Sequence, residues 1–474
     1  MLSAQPMRAP VATQPAKLNP IFQPNAPKPV PTEDVPGYVP TKGELDPTRV
    51  LAFKCAIAML FTRMSVLPEL TATITGVNLY LLYLVAPPAI IGCIMTGGFG
   101  RAFERTEVIL WSLFYLVMCI DVPFSSWVGL SFNRATGYVR TDLICLYIVA
   151  GLVLGWSDVQ KLFKWLAWSG VLVIFMVFRY AKPDNEGRLS LDGGDIVDST
   201  IGNSNDLAGH LMLVMPFIGW YAMEPGRHFM IRYPLLGLIA YGVWCNLLTS
   251  SRGALVAMGL VVIFLAMRGS AAHKVGVLVG IPVIAAVMLA VLPTDNLVRL
   301  GTLFGGPVVK GTASEEAEES SASRQYLVEQ SIKFTLENPL FGIGPGNFSN
   351  YEGLMAQAKG EHGNWHETHN TWTQISSECG IFALVFFASA MFMAFAAVNR
   401  LYRRALRAGH EQMIRTCVAY QASMVGYMTC ITFLACGYRF TLPVMVGLGT
   451  AMNYAGMRYL DYYIPPGATR PVPR

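Results

Sequence analysis

Charge is the first thing this chain is short of. Only 14% of its 474 residues are Asp, Glu, Lys or Arg, where a soluble domain carries about 25%. With 53% hydrophobic residues, that balance excludes an ordinary soluble domain and points to a polytopic membrane protein. A single basic patch is missing too. The net charge is +5, and the basic residues are spread between apolar runs, so no nucleic-acid partner is expected. Paired cysteine spacing is absent. Most of the nine cysteines, including Cys55, Cys93, Cys119, Cys145, Cys245, Cys417, Cys430 and Cys436, lie in apolar runs and act as small hydrophobes. This excludes a disulfide framework and a zinc knuckle. The early apolar core of a signal peptide is lacking, because the first hydrophobic run starts near Val50.

What is present divides into two domains. Residues 1–48 are rich in proline from Pro6 to Pro40 and poor in large aliphatics. They bury too little apolar surface to offset ordering, so a disordered cytoplasmic tail is expected. Residues 49–474 form the membrane domain, an all-α bundle of about twelve spans of membrane length. The expected spans are Val50–Leu67, Thr73–Met95, Val108–Leu130, a short Thr141–Leu154, Val159–Phe178, Asp206–Ala222, Tyr233–Leu248, a short Gly253–Ala266, Val275–Leu292, Ile375–Val398, Met413–Cys436 and Thr441–Met457. Lys and Arg in short loops set the orientation. The densest group is Arg400, Arg403, Arg404, Arg407 and Arg415. It places both termini in the cytoplasm and the one large insert, 293–374, outside.

That insert opens with a low-complexity acidic stretch, Ala313–Ser321, read as mobile. From Ser323, Tyr326, Leu327, Ile332, Phe334 and Leu336 recur at near-helical spacing, predicting an amphipathic helix at the membrane face that ends at Asn338-Pro339. Phe341-Gly342-Ile343-Gly344-Pro345-Gly346-Asn347 then makes a tight turn. Its backbone amides, notably around Gly344 and Gly346, suit an anion. Trp365-His366-Glu367-Thr368-His369-Asn370-Thr371-Trp372 follows and runs into the next span, with Glu378-Cys379-Gly380 behind it. Ionisable groups at a bilayer surface are functional candidates, and His is the side chain best suited to move a proton near neutral pH.

Other candidates carry two readings each. Arg252, in Ser251-Arg252-Gly253, is an interfacial anchor or a phosphate ligand. Arg324 is a solvated charge or a second such ligand. Asn203 and Asn205 cap the sixth span or hydrogen-bond sugar hydroxyls or phosphate. His362, His366 and His369 invite a metal, but His366-Glu367-Thr368-His369 has one residue too few after Glu367 for the metalloprotease pattern. No metal and no cofactor are expected.

In order, Ser251-Arg252-Gly253, Arg324, Glu337-Asn338-Pro339-Leu340-Phe341-Gly342-Ile343-Gly344-Pro345-Gly346-Asn347-Phe348, His369-Asn370 and Glu378-Cys379-Gly380-Ile381-Phe382 resemble the O-antigen ligase and polymerase superfamily. The likeness covers about 203–398. It implies an inner-membrane, helical-bundle glycosyltransferase acting at the periplasmic face on polyprenyl-diphosphate-linked glycans, without nucleotide or metal. By the same resemblance Arg252 and Arg324 hold the diphosphate, His369 is the essential histidine, and Asn370 matches beside it. Glu378 and His366 are secondary candidates. The chemistry agrees: a neutral His369 accepts the proton of an acceptor hydroxyl, on a glycan, lipid or protein, while the arginines stabilise the leaving diphosphate. Displacement from an α-linked donor would invert the anomeric centre. The alternatives are a transporter or flippase for lipid-linked glycans and a metal-dependent membrane hydrolase.

Overall fold

The computed structural model describes residues 40–77, 79–192, 200–269, 290–360 and 362–463. The expected disordered tail up to residue 39 and most of the ninth span lie outside them. The last stretch assigned to the tail already carries structure. A short helix α1, Lys42–Leu45, is closed by a Thr41–Glu44 capping box, and Asp46 caps α2, Pro47–Met64.

Nearly every expected span forms helix, with altered edges. A bend of 67° separates α2 from α3, Leu67–Thr75. Next come α4, Leu81–Met95, with Pro87 and Pro88 inside it, then α5, Gly98–Phe103, and α6, Thr106–Asp121. Thus Thr73–Met95 is not one continuous span. The fourth span is longer than the sequence suggested: α7, Val128–Tyr138, a π-turn, and α8, Ile144–Leu152, run on as one unit. After α9, Trp156–Tyr180, the chain makes a small hairpin of β1, Lys182–Pro183, and β2, Leu189–Ser190. Then follow α10, Ser204–Ala222, α11, Phe229–Leu248, and α12, Arg252–Arg268.

The insert is helical: α13, Thr294–Gly301, α14, Ala313–Glu337, and α15, Phe348–Ala358. The acidic stretch read as mobile is the first part of α14. Thr312 caps it, Glu315 accepts the Gly311 amide, and Glu316 pairs with Arg299, so acids at a helix N-terminus stabilise it. Three long helices close the bundle: α16, Thr371–Ala408, α17, Glu411–Ile431, and α18, Thr441–Tyr462.

Helix α16 is the axis, packing on α6, α17, α18 and α14. Its 38 residues give about 57 Å of helix. It breaks at Gly380, whose φ of 79° lets the Pro339 and Leu340 carbonyls pack against it. Below that break Phe387 packs with Trp111 and Phe114 in the core. Among the described residues, five helices are long and apolar enough to cross a membrane, or six if the α2–α3 bend is one span. Helices α10, α17 and α18 fall short of that test although largely buried. A helix surrounded by other helices need not be apolar all round, and they carry interior polar groups such as His210, Gln421 and Thr450.

The two ends of α16 differ. Arg400, Arg403, Arg404 and Arg407 stand near its C-terminus, where Arg268 reaches Asn399 and lies 3.9 Å from the Tyr402 ring. The His366–Asn370 segment enters at its N-terminus.

Candidate functional site

The histidine segment has no regular secondary structure and is held from several sides. Buried Glu352 of α15 accepts the amides of Asn364, at 3.0 Å, and Trp365, also at 3.0 Å. Asn364 in turn donates to Ser323 of α14, 3.3 Å away, which sets the segment beside Arg324. Downstream, Asn370 caps α16, its side-chain oxygen accepting from Trp372 and Thr373 at 3.0 and 3.1 Å. Buried Thr371 bridges to the loop after α17 through the Leu434 carbonyl and Cys436 amide. Between these anchors Trp365 and His369 adopt φ of 54° and 49°. Left-handed backbone at a non-glycine residue persists only where its surroundings impose it, and it clusters at functional sites. Ser250, in the turn before Arg252, is a third such residue.

Beside His369 lies Arg324, one of a group of four arginines from separate elements. Arg188, on the hairpin, donates to the Thr249 carbonyl at 3.0 Å and to the Asn205 side chain at 2.8 Å. Arg299 of α13 is buried and lies 3.0 Å from Glu186 and 3.4 Å from Glu316. Arg252 starts α12 and donates to the Ala317 carbonyl at 2.8 Å and the Thr302 hydroxyl at 3.4 Å, tying the insert to the bundle. Arg324 has no hydrogen bond or ion pair among the described residues. Burial, then Arg188, Arg252 and Arg299, push its guanidinium down to about 10. Arg324 is thus a half-buried cation facing three others, with Glu186 the acid among the groups acting on it.

The same field acts on His369. Burial first, then Arg324 and His366, hold its imidazole down to about 4, so it is neutral at pH 7 and able to accept a proton. The His366 and His369 rings stand 6.4 Å apart, with His366 exposed.

The remaining predicted residues sit elsewhere. The side-chain oxygen of Asn203 caps α10 by accepting the Asn205 and Asp206 amides. Asn205 orients Arg188. The glycine turn does meet an anion, and it is Glu378: this carboxylate accepts the Gly346 amide at 3.0 Å, the Phe348 amide at 3.1 Å and the Tyr438 hydroxyl at 2.6 Å. The Gly344 amide donates to the Glu378 backbone carbonyl at 2.9 Å. Gly344, Gly346 and Glu378 therefore engage one another, apart from the arginine group.

Arg188, Arg299 and Glu352 escaped sequence reading. Each sits in a loop or polar helix without periodicity, and only the fold brings it to the segment. The one available signal was that arginines at this end stand in turns next to apolar runs, as Arg252 does. Among the described residues no group of three His, Cys, Asp or Glu could hold a metal ion.

A neutral histidine beside an unpaired arginine, with three further arginines around the latter, thus stands on the helical bundle of a membrane protein. Residues 237–388 match a family model described as O-antigen ligase. The matched stretch contains Arg252, Arg324, His369 and Asn370. It supports the O-antigen ligase and polymerase superfamily as the family of this chain and, with it, glycan transfer of the O-antigen ligase kind in general. A search of curated proteins found no match.

Proposed function

We propose that this protein transfers or polymerises glycan from a polyprenyl-diphosphate carrier onto an acceptor hydroxyl, at the periplasmic face of a bacterial inner membrane. The observation that carries this reading is Arg324, unpaired among Arg188, Arg252 and Arg299 and next to His369. In this reading the bundle has twelve spans, with both termini in the cytoplasm. The end of α16 near Arg400–Arg407 faces inward by the positive-inside rule, and the insert and His369 face outward. The lipid tail enters sideways from the bilayer while the glycan stays in water.

The diphosphate binds Arg324 and the outward-facing donors around it. His369 takes the acceptor hydroxyl proton as the oxygen attacks the anomeric carbon. The bond from that carbon to the phosphate oxygen breaks, and its electron pair leaves with the polyprenyl diphosphate, whose charge the arginines stabilise. Inversion follows from this single displacement. Binding of the donor also answers a difficulty in the free site. The cations that keep His369 neutral oppose its protonation, and the diphosphate's negative charge offsets them. The base is therefore strengthened when the donor is in place.

The test is transfer by purified protein in proteoliposomes with a lipid-linked oligosaccharide. Release of polyprenyl diphosphate that requires both Arg324 and His369 is expected. If wild-type protein neither releases it nor binds the donor, the reading fails.

A further inference from the structure

A cavity of about 420 Å³ opens on the other side of the histidine segment, within the range of about 300–1,000 Å³ found for small-molecule sites. Its wall carries three arginines and three carboxylates. Arg63 pairs with Asp142 at 2.8 Å, and Arg439 with Asp206 at 2.7 Å. Arg134 and Glu367 remain. Neither has a hydrogen bond or ion pair among the described residues, although the Arg134 guanidinium lies 5.4 Å from the centre of the Tyr438 ring.

Two features separate this cavity from the arginine group. The first is charge. The cavity is balanced, three against three, whereas the groups facing Arg324 are mainly cations. A diphosphate gains far more on the cationic side. The second is direction. Glu367 faces Arg134, Arg439 and Asp206, while His369 faces Arg324 and His366. The segment thus stands between this cavity and the arginine group. Two residues of chain span at most about 7 Å between Cα atoms, so a sugar seated at Glu367 has only to extend past the edge of the segment to bring a hydroxyl to His369.

We propose that this cavity is the acceptor subsite and that it takes an uncharged sugar residue, Arg134 donating to its hydroxyls and Glu367 accepting from them. Balanced charge suits a neutral polyol, because an anionic sugar would leave Glu367 repelled and a cationic one Arg134. Separated unpaired donors and acceptors are what a ring with hydroxyls on several carbons satisfies. Arg134 and Glu367 are binding residues here, and the proposal rests on the transferase reading above.

The experiment uses the full chain in lipid nanodiscs with Ala435→Cys, on the cavity wall. Alkylation of the introduced thiol is followed by mass spectrometry of its peptide. The probes are maltose, lactose and chitobiose, with a glucuronate disaccharide as the charged comparison. At least one neutral disaccharide should slow labelling several-fold, and Arg134→Gln or Glu367→Gln should abolish the protection. Thr200→Cys, also on the wall, serves if the first variant does not fold. Binding of polyprenyl diphosphate, measured separately, should survive in the Arg134 and Glu367 variants and disappear in Arg324→Ala. The proposal is overturned if no neutral sugar protects, if only the charged one does, or if the two cavity variants lose polyprenyl diphosphate as well. Wild-type protein that binds no polyprenyl diphosphate would sink the transferase reading alone, since sugar protection is read independently.

Discussion

Replacing Arg324 separates a ligand-binding cation from a structural one. The side chain makes no hydrogen bond or ion pair among the described residues and stands against Arg188, Arg252 and Arg299. Its removal therefore costs the fold no polar contact and relieves repulsion. The melting temperature of Arg324→Ala should equal or exceed that of wild type. Arg299→Ala should melt lower, because it would leave Glu316 without its buried partner and Glu186 with Arg188 alone. Catalysis should move the other way. A guanidinium gripping phosphate bidentately makes two charged hydrogen bonds of about 1.5–3 kcal/mol each, so kcat/KM should fall about a hundred- to ten-thousand-fold. Arg324→Lys keeps the charge and loses the fork, and should recover only part of that loss. The assay pairs thermal unfolding in detergent with initial rates of polyprenyl diphosphate release in proteoliposomes. Wild-type rates in Arg324→Ala would reduce the residue to a solvated charge. A marked drop in melting temperature would show a structural role that its lack of partners does not explain.

His369→Ala should lose about 100- to 10,000-fold in turnover while still binding donor; undiminished turnover would remove it from the chemistry. Because neutral His369 is the active form, kcat/KM should fall as pH drops through about 4. That limb should move upward in Arg324→Ala, which removes a cation depressing it, and an unmoved limb would assign it to another group. For topology, Ser320→Cys should react with a membrane-impermeant thiol reagent from the periplasm and Arg403→Cys only from the cytoplasm; the reverse pattern would invert the orientation and the mechanism with it. Glu378→Gln weakens the acceptor for the Gly346 and Phe348 amides and the Tyr438 hydroxyl. It should destabilise by about 1–3 kcal/mol without changing donor affinity in the folded fraction, and loss of donor affinity alone would make the glycine turn part of the phosphate site.

Legibility of the sequence followed the range of each signal. Apolar length and Pro-Gly punctuation are local, so most helices and the end of α14 at Glu337 could be read directly. The acidic start of α14 misled because composition argues for disorder, while Thr312, Gly311 and Arg299 supply caps and a partner that composition does not register. The fourth span looked short because Asn133 and Arg134 interrupt the apolar run, and Arg134 lines a cavity. At the site, Arg252, Arg324 and His369 were reached through the order of their motifs. Arg188 and Arg299 were not, since nothing near them in sequence marks them and their meeting depends on the tertiary fold. The glycine turn was read as a receptor for a substrate anion, and the carboxylate its Gly346 amide meets in the fold is Glu378, some thirty residues along the chain.

That exchange of anion bears on how the site is built. With Glu378 occupying the glycine amides, the turn holds α15 against α16 and fixes the start of the latter. Glu352 then holds the chain just before the histidines, and Asn370 holds it just after. Rigid carboxylate and amide anchors on both sides make it possible to keep His369 at φ 49°, a conformation costing of order 1–3 kcal/mol that surrounding structure must sustain. The cost has a use in the transferase reading. A proton acceptor between a group of cations and a neutral cavity must face the first while staying near the second, and an extended strand with ordinary backbone would turn residues 367 and 369 to the same side. The left-handed turn at His369 breaks that alternation, so that Glu367 looks into the balanced cavity and His369 toward Arg324.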